Sequence, residues 1–193
     1  MIQKIYDCMI VQATKPYAKW LLGIISFLES SISPIPPDPL MIPMILVNRF
    51  LAWRLALITS ISSVLGGAVG YMIGVFLFES LGYWVIETYG LEKAFEKLQL
   101  LFQSWGFWII ILKGLTPIPY KIVTITSGVT GLNFWIFMGA SIISRSLRFY
   151  AEAALLWKYG ETVQQQIEKN LTVFTFTFFA LLLGGFAILK WVH

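Results

Sequence analysis

The sequence predicts an all-α polytopic membrane protein. Two opposed re-entrant helical hairpins form an inverted repeat, joined by about three full transmembrane helices and by interfacial amphipathic helices. Three observations predict this. Of 193 residues, 58% are hydrophobic and only 12% are charged, whereas a soluble domain is about a quarter charged. A bilayer accounts for that apolar excess better than a soluble core does. Two long apolar segments are broken mid-way by prolines. Both breaks carry charges, although a charge in hydrocarbon costs at least about 2.5–3.5 kcal/mol per residue.

The chain reads as one domain, 1–193, because no polar linker divides it. Over residues 1–19, Ile2, Ile5, Tyr6, Met9 and Ala13 share one helical face, the pattern of an interfacial helix. Glu29 and a proline cluster follow the apolar run Leu21–Leu28 without a small-x-small cleavage site, so the N-terminus is expected to be retained. Segment 20–47 is the first broken one. Pro34, Pro36, Pro37, Pro39 and Pro43 remove backbone donors and clash with the preceding turn. Each flank is about half a membrane thick at 1.5 Å per residue, which predicts a hairpin with both ends on one side.

Residues 55–78 hold no charged side chain and are long enough to span. Gly66, Gly67, Gly70 and Gly74 give this helix a small-residue face for close packing. Over 79–103, charged residues alternate with apolar ones, which predicts a second interfacial helix. Segment 107–129 repeats the first interruption, with Gly114, Pro117 and Pro119 at its middle and Gly128 and Gly131 at its exit. Residues 134–157 and 170–190 are further spans, the latter closed by Lys190 and Trp191. Lys4, Lys15, Lys19, Arg49 and Arg54 fall on one side; Lys93 and Lys97 fall on the other. The basic side should be cytoplasmic, which places the N-terminus inside and the C-terminus outside.

Composition excludes several functions. Cys8 is the sole cysteine and His193 the sole histidine, which removes disulfide frameworks and most metal sites and histidine-based catalysis. An enzyme, a metal and a cofactor are therefore not expected. The net charge of +4 is spread along the chain, in loop positions, and points to no nucleic acid.

The two breaks match. Ser33-Pro34-Ile35-Pro36-Pro37-Asp38 and Thr116-Pro117-Ile118-Pro119-Tyr120-Lys121 each start at a hydroxyl, and each is followed by a short turn and a spanning helix. After one crossing the second hairpin enters from the opposite face, as in transporters with inverted repeats. Two unrelated proline kinks are the alternative. The first hairpin carries Glu29 and Asp38, the second Lys113 and Lys121. Facing tips would set acids against lysines. Such a cluster is either a structural ion-pair lock or a site for an anionic headgroup, with a proton on an acid. Arg145, Arg148 and Glu152 share one helical face. They form either an internal salt bridge with snorkelling arginines or a phosphate-recognising pair.

The runs FLESSISPIPPDPLMIPM, KGLTPIPYKIVTITSGVTGLNFWIF and SRSLRFYAEAALLWKYG resemble the DedA family of membrane proteins, also called the SNARE-associated Golgi or VTT-domain family, in its YqaA-type bacterial branch. The resemblance covers roughly residues 20–160. It implies opposed re-entrant hairpins and movement of lipids between leaflets, in a bacterial inner membrane. It also implies functional acids at Glu29 and Asp38, and basic partners at Lys113 and Lys121, where many members have arginine. The expected function is a flippase or scramblase for a phospholipid or polyprenyl-phosphate headgroup, with protons as candidate co-substrates. A non-transporting scaffold and a small-solute carrier are the alternatives.

Overall fold

The computed structural model describes residues 15, 17–33, 35–114 and 119–160. Among these the regular structure is entirely helical. The helix expected over 1–19 lies mostly outside the described residues, and the span expected over 170–190 lies wholly outside them, as do Pro34, Thr116, Pro117, Ile118 and the Lys113 side chain.

Helix α1, Ala18–Ser31, stops where the sequence stops it. The Ile32 and Ser33 N–H groups both donate to the Leu28 carbonyl, at 2.8 and 2.7 Å, and prolines 36 and 37 cannot continue the ladder. The Ser33 hydroxyl accepts from the Ile35 N–H at 3.2 Å, which shapes the turn. Helix α2, Asp38–Val47, begins with Asp38 in its first turn and a proline beside it. Proline suits a helix start because the N–H it lacks would have no partner there. The Asp38 carboxylate suits the same end because the helix dipole is positive there. At 14 and 10 residues, α1 and α2 measure about 21 and 15 Å, so neither crosses a ~30 Å hydrocarbon layer alone.

The Asn48 side chain accepts from the Phe50 N–H at 3.1 Å and opens a 3₁₀ turn, Arg49–Leu51. That turn feeds the central helix α3, Ala52–Leu77, which runs into a π-helical turn, Phe78–Gly82. Among the described residues, Arg49–Gly82 is the one continuous run long and apolar enough to cross a membrane. Helix α4, Tyr83–Tyr89, ends at Gly90, whose φ of +62° a side chain would disfavour. Helix α5, Glu92–Gly114, and helix α6, Tyr120–Val129, flank the second break. Gly131, at φ +68°, turns the chain. The Asn133 side chain then accepts from the N–H groups of Trp135 and Ile136, capping helix α7, 134–160.

The expected division near residues 103–107 is absent. The charged stretch 79–103 is shared among the π-turn, α4 and the start of α5, and α5 continues without interruption through Gly106. No proline stops it there, and the missing side chain at Gly106 makes room for Leu132.

Both broken segments pack against α3 and α7. Ala18 and Leu22 of α1, Met41, Met44 and Ile45 of α2, and Ala52, Leu55 and Ala56 of α3 form one apolar cluster with Phe149, Ala153 and Leu156 of α7. Phe102 and Ile110 of α5 and Tyr120 and Val123 of α6 form another with Leu132 and, from α7, Phe137 and Ala140; Tyr71 of α3 packs on it. The glycine face of α3 lets backbones touch. A Cβ at Gly66 would run into the Phe27 carbonyl, and one at Gly74 into the Ile125 carbonyl. Thus α1 and α6 both lie directly on α3, and their broken ends are brought together.

Candidate functional site: a buried arginine–carboxylate cluster

Glu29 occupies the last turn of α1 and is 8% exposed. A carboxylate is disfavoured at a helix C-terminus, and burial adds a desolvation cost, so it requires partners. The Ser30 hydroxyl donates to Glu29 Oε2 at 3.0 Å. Arg145 Nη2 donates to the same oxygen at 3.2 Å. Ser30 Oγ in turn lies 2.7 Å from Ser63 Oγ of α3. A short hydroxyl chain therefore ties the carboxylate to the central helix.

Asp38 lies across the proline turn. Arg148 Nη2 reaches both of its carboxylate oxygens at 3.0 Å. Arg145 and Arg148 are three residues apart, hence on one face of α7. That spacing matches two acids presented on either side of the turn. Glu152, one helical turn further on, lies against Asp38 and Arg148 as well. The two pairs differ in access. The side chains of Arg145 and Glu29 are 1% and 11% exposed, those of Arg148 and Asp38 32% and 21%.

The second broken segment closes the site. The Tyr120 ring centre is 3.7 Å from the Arg145 guanidinium carbon, and the Tyr120 hydroxyl bonds Ser141 Oγ on α7. Thr124 Oγ1 donates to the Ser30 carbonyl at 3.2 Å, and Lys121 Nζ to the Ile32 carbonyl at 3.3 Å. Lys121 thus sits at the negative end of the α1 dipole.

The broken segments meet, but among the described residues the acids pair with arginines and not with Lys121. Glu29 and Asp38 are taken by Arg145 and Arg148, and Lys121 caps α1 instead. Guanidinium is the better partner where carboxylates are partly dehydrated, since it is more weakly hydrated than ammonium and offers several fixed donors. Lys113 is on α5, with its side chain outside the described residues. Of the turn prolines, Pro36 and Pro37 separate the two acids and Pro119 precedes Tyr120. Sequence reasoning missed Tyr120, Ser30 and Ser63. The signal for Tyr120 was its place directly after Pro119; the two serines carry none beyond their helical spacing.

Fold and cluster together define an all-α protein with ion pairs held where proline-broken helices converge. The chain belongs to the VTT-domain family, also known as DedA, whose domain matches residues 35–158. That match includes Asp38, Lys121, Arg145 and Arg148 and begins just after Glu29. Proteins of this family are membrane proteins, generally linked to membrane transport or lipid flipping. An uncharacterized protein of Haemophilus influenzae is 31% identical over 96% of both chains. An uncharacterized protein of Histophilus somni is 30% identical over 85% of this chain and 87% of its own. No solved structure matches.

Proposed function

We propose that this protein is a lipid transporter, a flippase or scramblase, that passes a phosphate-bearing headgroup across the bacterial inner membrane. The headgroup is that of a phospholipid or a polyprenyl phosphate. In this reading the segments 20–47 and 107–129 are re-entrant from opposite faces, and the N-terminus is cytoplasmic. The observation that carries the proposal is the Arg148–Asp38 pair, charged, hydrogen-bonded and partly accessible beside a sealed pair of the same kind.

An arginine that trades a carboxylate for a phosphate is never left unpaired. That matters because a half-buried guanidinium that loses its partner gives up a charged hydrogen bond worth about 1.5–3 kcal/mol. Phosphate matches the guanidinium donors as well as carboxylate does. The Asp38 carboxylate released by the exchange then takes a proton or remains with solvent, which is the route by which protons couple to transport. Lys113 and Lys121, on the second broken segment, serve as further cations along the same path.

A second reading is supported by a specific observation. The Glu29–Arg145 pair is almost fully enclosed, as a structural lock would be, so a scaffold role draws its support from that pair alone. Native mass spectrometry of the purified protein tests the proposal. Co-purified phosphate-bearing lipid is expected with the wild type and is expected to be lost in Arg148→Gln. Lipid retained equally by both proteins would count against headgroup recognition at Arg148.

A further inference from the structure

We infer that Tyr120 is the cover that keeps anions off Arg145, leaving Arg148 as the arginine that an incoming phosphate meets first. The two arginines of α7 share one helical face, yet only one is open. Arg145 is 1% exposed and Tyr120 is 3% exposed, and the ring lies 3.7 Å from the guanidinium carbon. A cation held on an aromatic face at this distance gains electrostatic attraction that desolvation strengthens.

The ring is fixed at both ends. Its hydroxyl bonds Ser141, one turn before Arg145 on the same helix. Its edge occupies space left by Gly67 of α3, where a Cβ would lie 3.1 Å from Tyr120 Cε1. Tyr120 is also the first residue of α6, directly after Pro119.

Arg145 keeps a donor in reserve. Its Nε is buried and has no hydrogen-bond partner among the described residues. A buried N–H without a partner costs free energy, and a phosphate oxygen is a strong acceptor for it once the ring has moved. The order of engagement, Arg148 and then Arg145, rests on the transport reading above. The sealing of Arg145 by Tyr120 does not.

Arginine modification by phenylglyoxal on the purified full-length protein, mapped by mass spectrometry, reads the seal without any transport assay. In the wild type, Arg148 is expected to react and Arg145 to be protected. In Tyr120→Leu, the Arg145 rate is expected to rise roughly tenfold, the scale of a lost buried cation–π contact together with its tether. Ser141→Ala keeps the ring and removes only the tether, and is expected to give a smaller rise in a protein that folds normally. Arg145 reacting as fast as Arg148 in the wild type would overturn the proposal. So would full protection of Arg145 in folded Tyr120→Leu, or, should that variant not fold, no change in Ser141→Ala. A seal that behaves as described in a protein that moves no lipid would reject the transport reading and leave the cover standing.

Discussion

Glu29 and Arg145, 116 residues apart in sequence, meet at 3.2 Å across the interface of α1 and α7. Removing either partner leaves a buried charge alone. Glu29→Gln or Arg145→Gln is therefore expected to lower stability by about 3–5 kcal/mol. Thermal unfolding in detergent should show that the double variant Glu29→Gln/Arg145→Gln recovers part of the loss. Single variants as stable as the wild type would mean that water already compensates the pair.

The Asp38–Arg148 pair separates stability from activity. Its side chains are partly exposed and asparagine keeps an acceptor for Arg148, so neutralising Asp38 is expected to cost about 1–3 kcal/mol, less than opening the sealed pair. Asp38→Asn should remain folded and inserted and yet lose lipid transport. A variant that transports normally would remove Asp38 from the path.

The glycine face of α3 sets the distance between the broken segments. Gly66→Ala and Gly74→Ala force a Cβ against a backbone carbonyl of α1 or α6, and each is expected to destabilise by about 1–3 kcal/mol. Gly139→Ala on α7 meets nothing within 4 Å and is expected to be neutral or stabilising by up to about 1 kcal/mol. Denaturation midpoints of the three variants check the contrast.

Lys121 bridges the two breaks through a backbone carbonyl. Lys121→Met removes one charge-assisted bond at an exposed position, with an expected stability loss of at most about 1 kcal/mol. Transport is expected to fall less than in Arg148→Gln. A Lys121 variant as inactive as Arg148→Gln would make the lysine an equal partner in headgroup binding.

Much of the architecture was legible because it is written in local rules. Prolines 36 and 37 end α1 and start α2 whatever surrounds them. The glycines of α3 mark a face that backbones approach closely. The Gln103–Phe107 junction was misread because charge and apolarity change there without a breaker, and a helix crosses such a boundary freely. Pairing was the harder problem. The signs of the charges at the breaks suggested acids against lysines, but Glu29 and Asp38 choose arginines on a distant helix. Nothing local links residue 29 to residue 145. The i, i+3 spacing of two arginines in an apolar helix was the available clue, and it fixed their shared face but not their partners. Tyr120 stands out in the sequence only by following Pro119, and its role exists only once α6 lies against α7.

The most direct test of the central claim is a leaflet-resolved transport assay in liposomes containing the purified protein and a labelled phosphate-bearing lipid, run with and without a pH gradient. The account predicts transport by the wild type and a drop of roughly 10–100-fold in Arg148→Gln, as expected for loss of a charged hydrogen bond worth about 1.5–3 kcal/mol. Transport by Arg148→Gln at the wild-type rate, or none by the intact protein under any gradient, would contradict it.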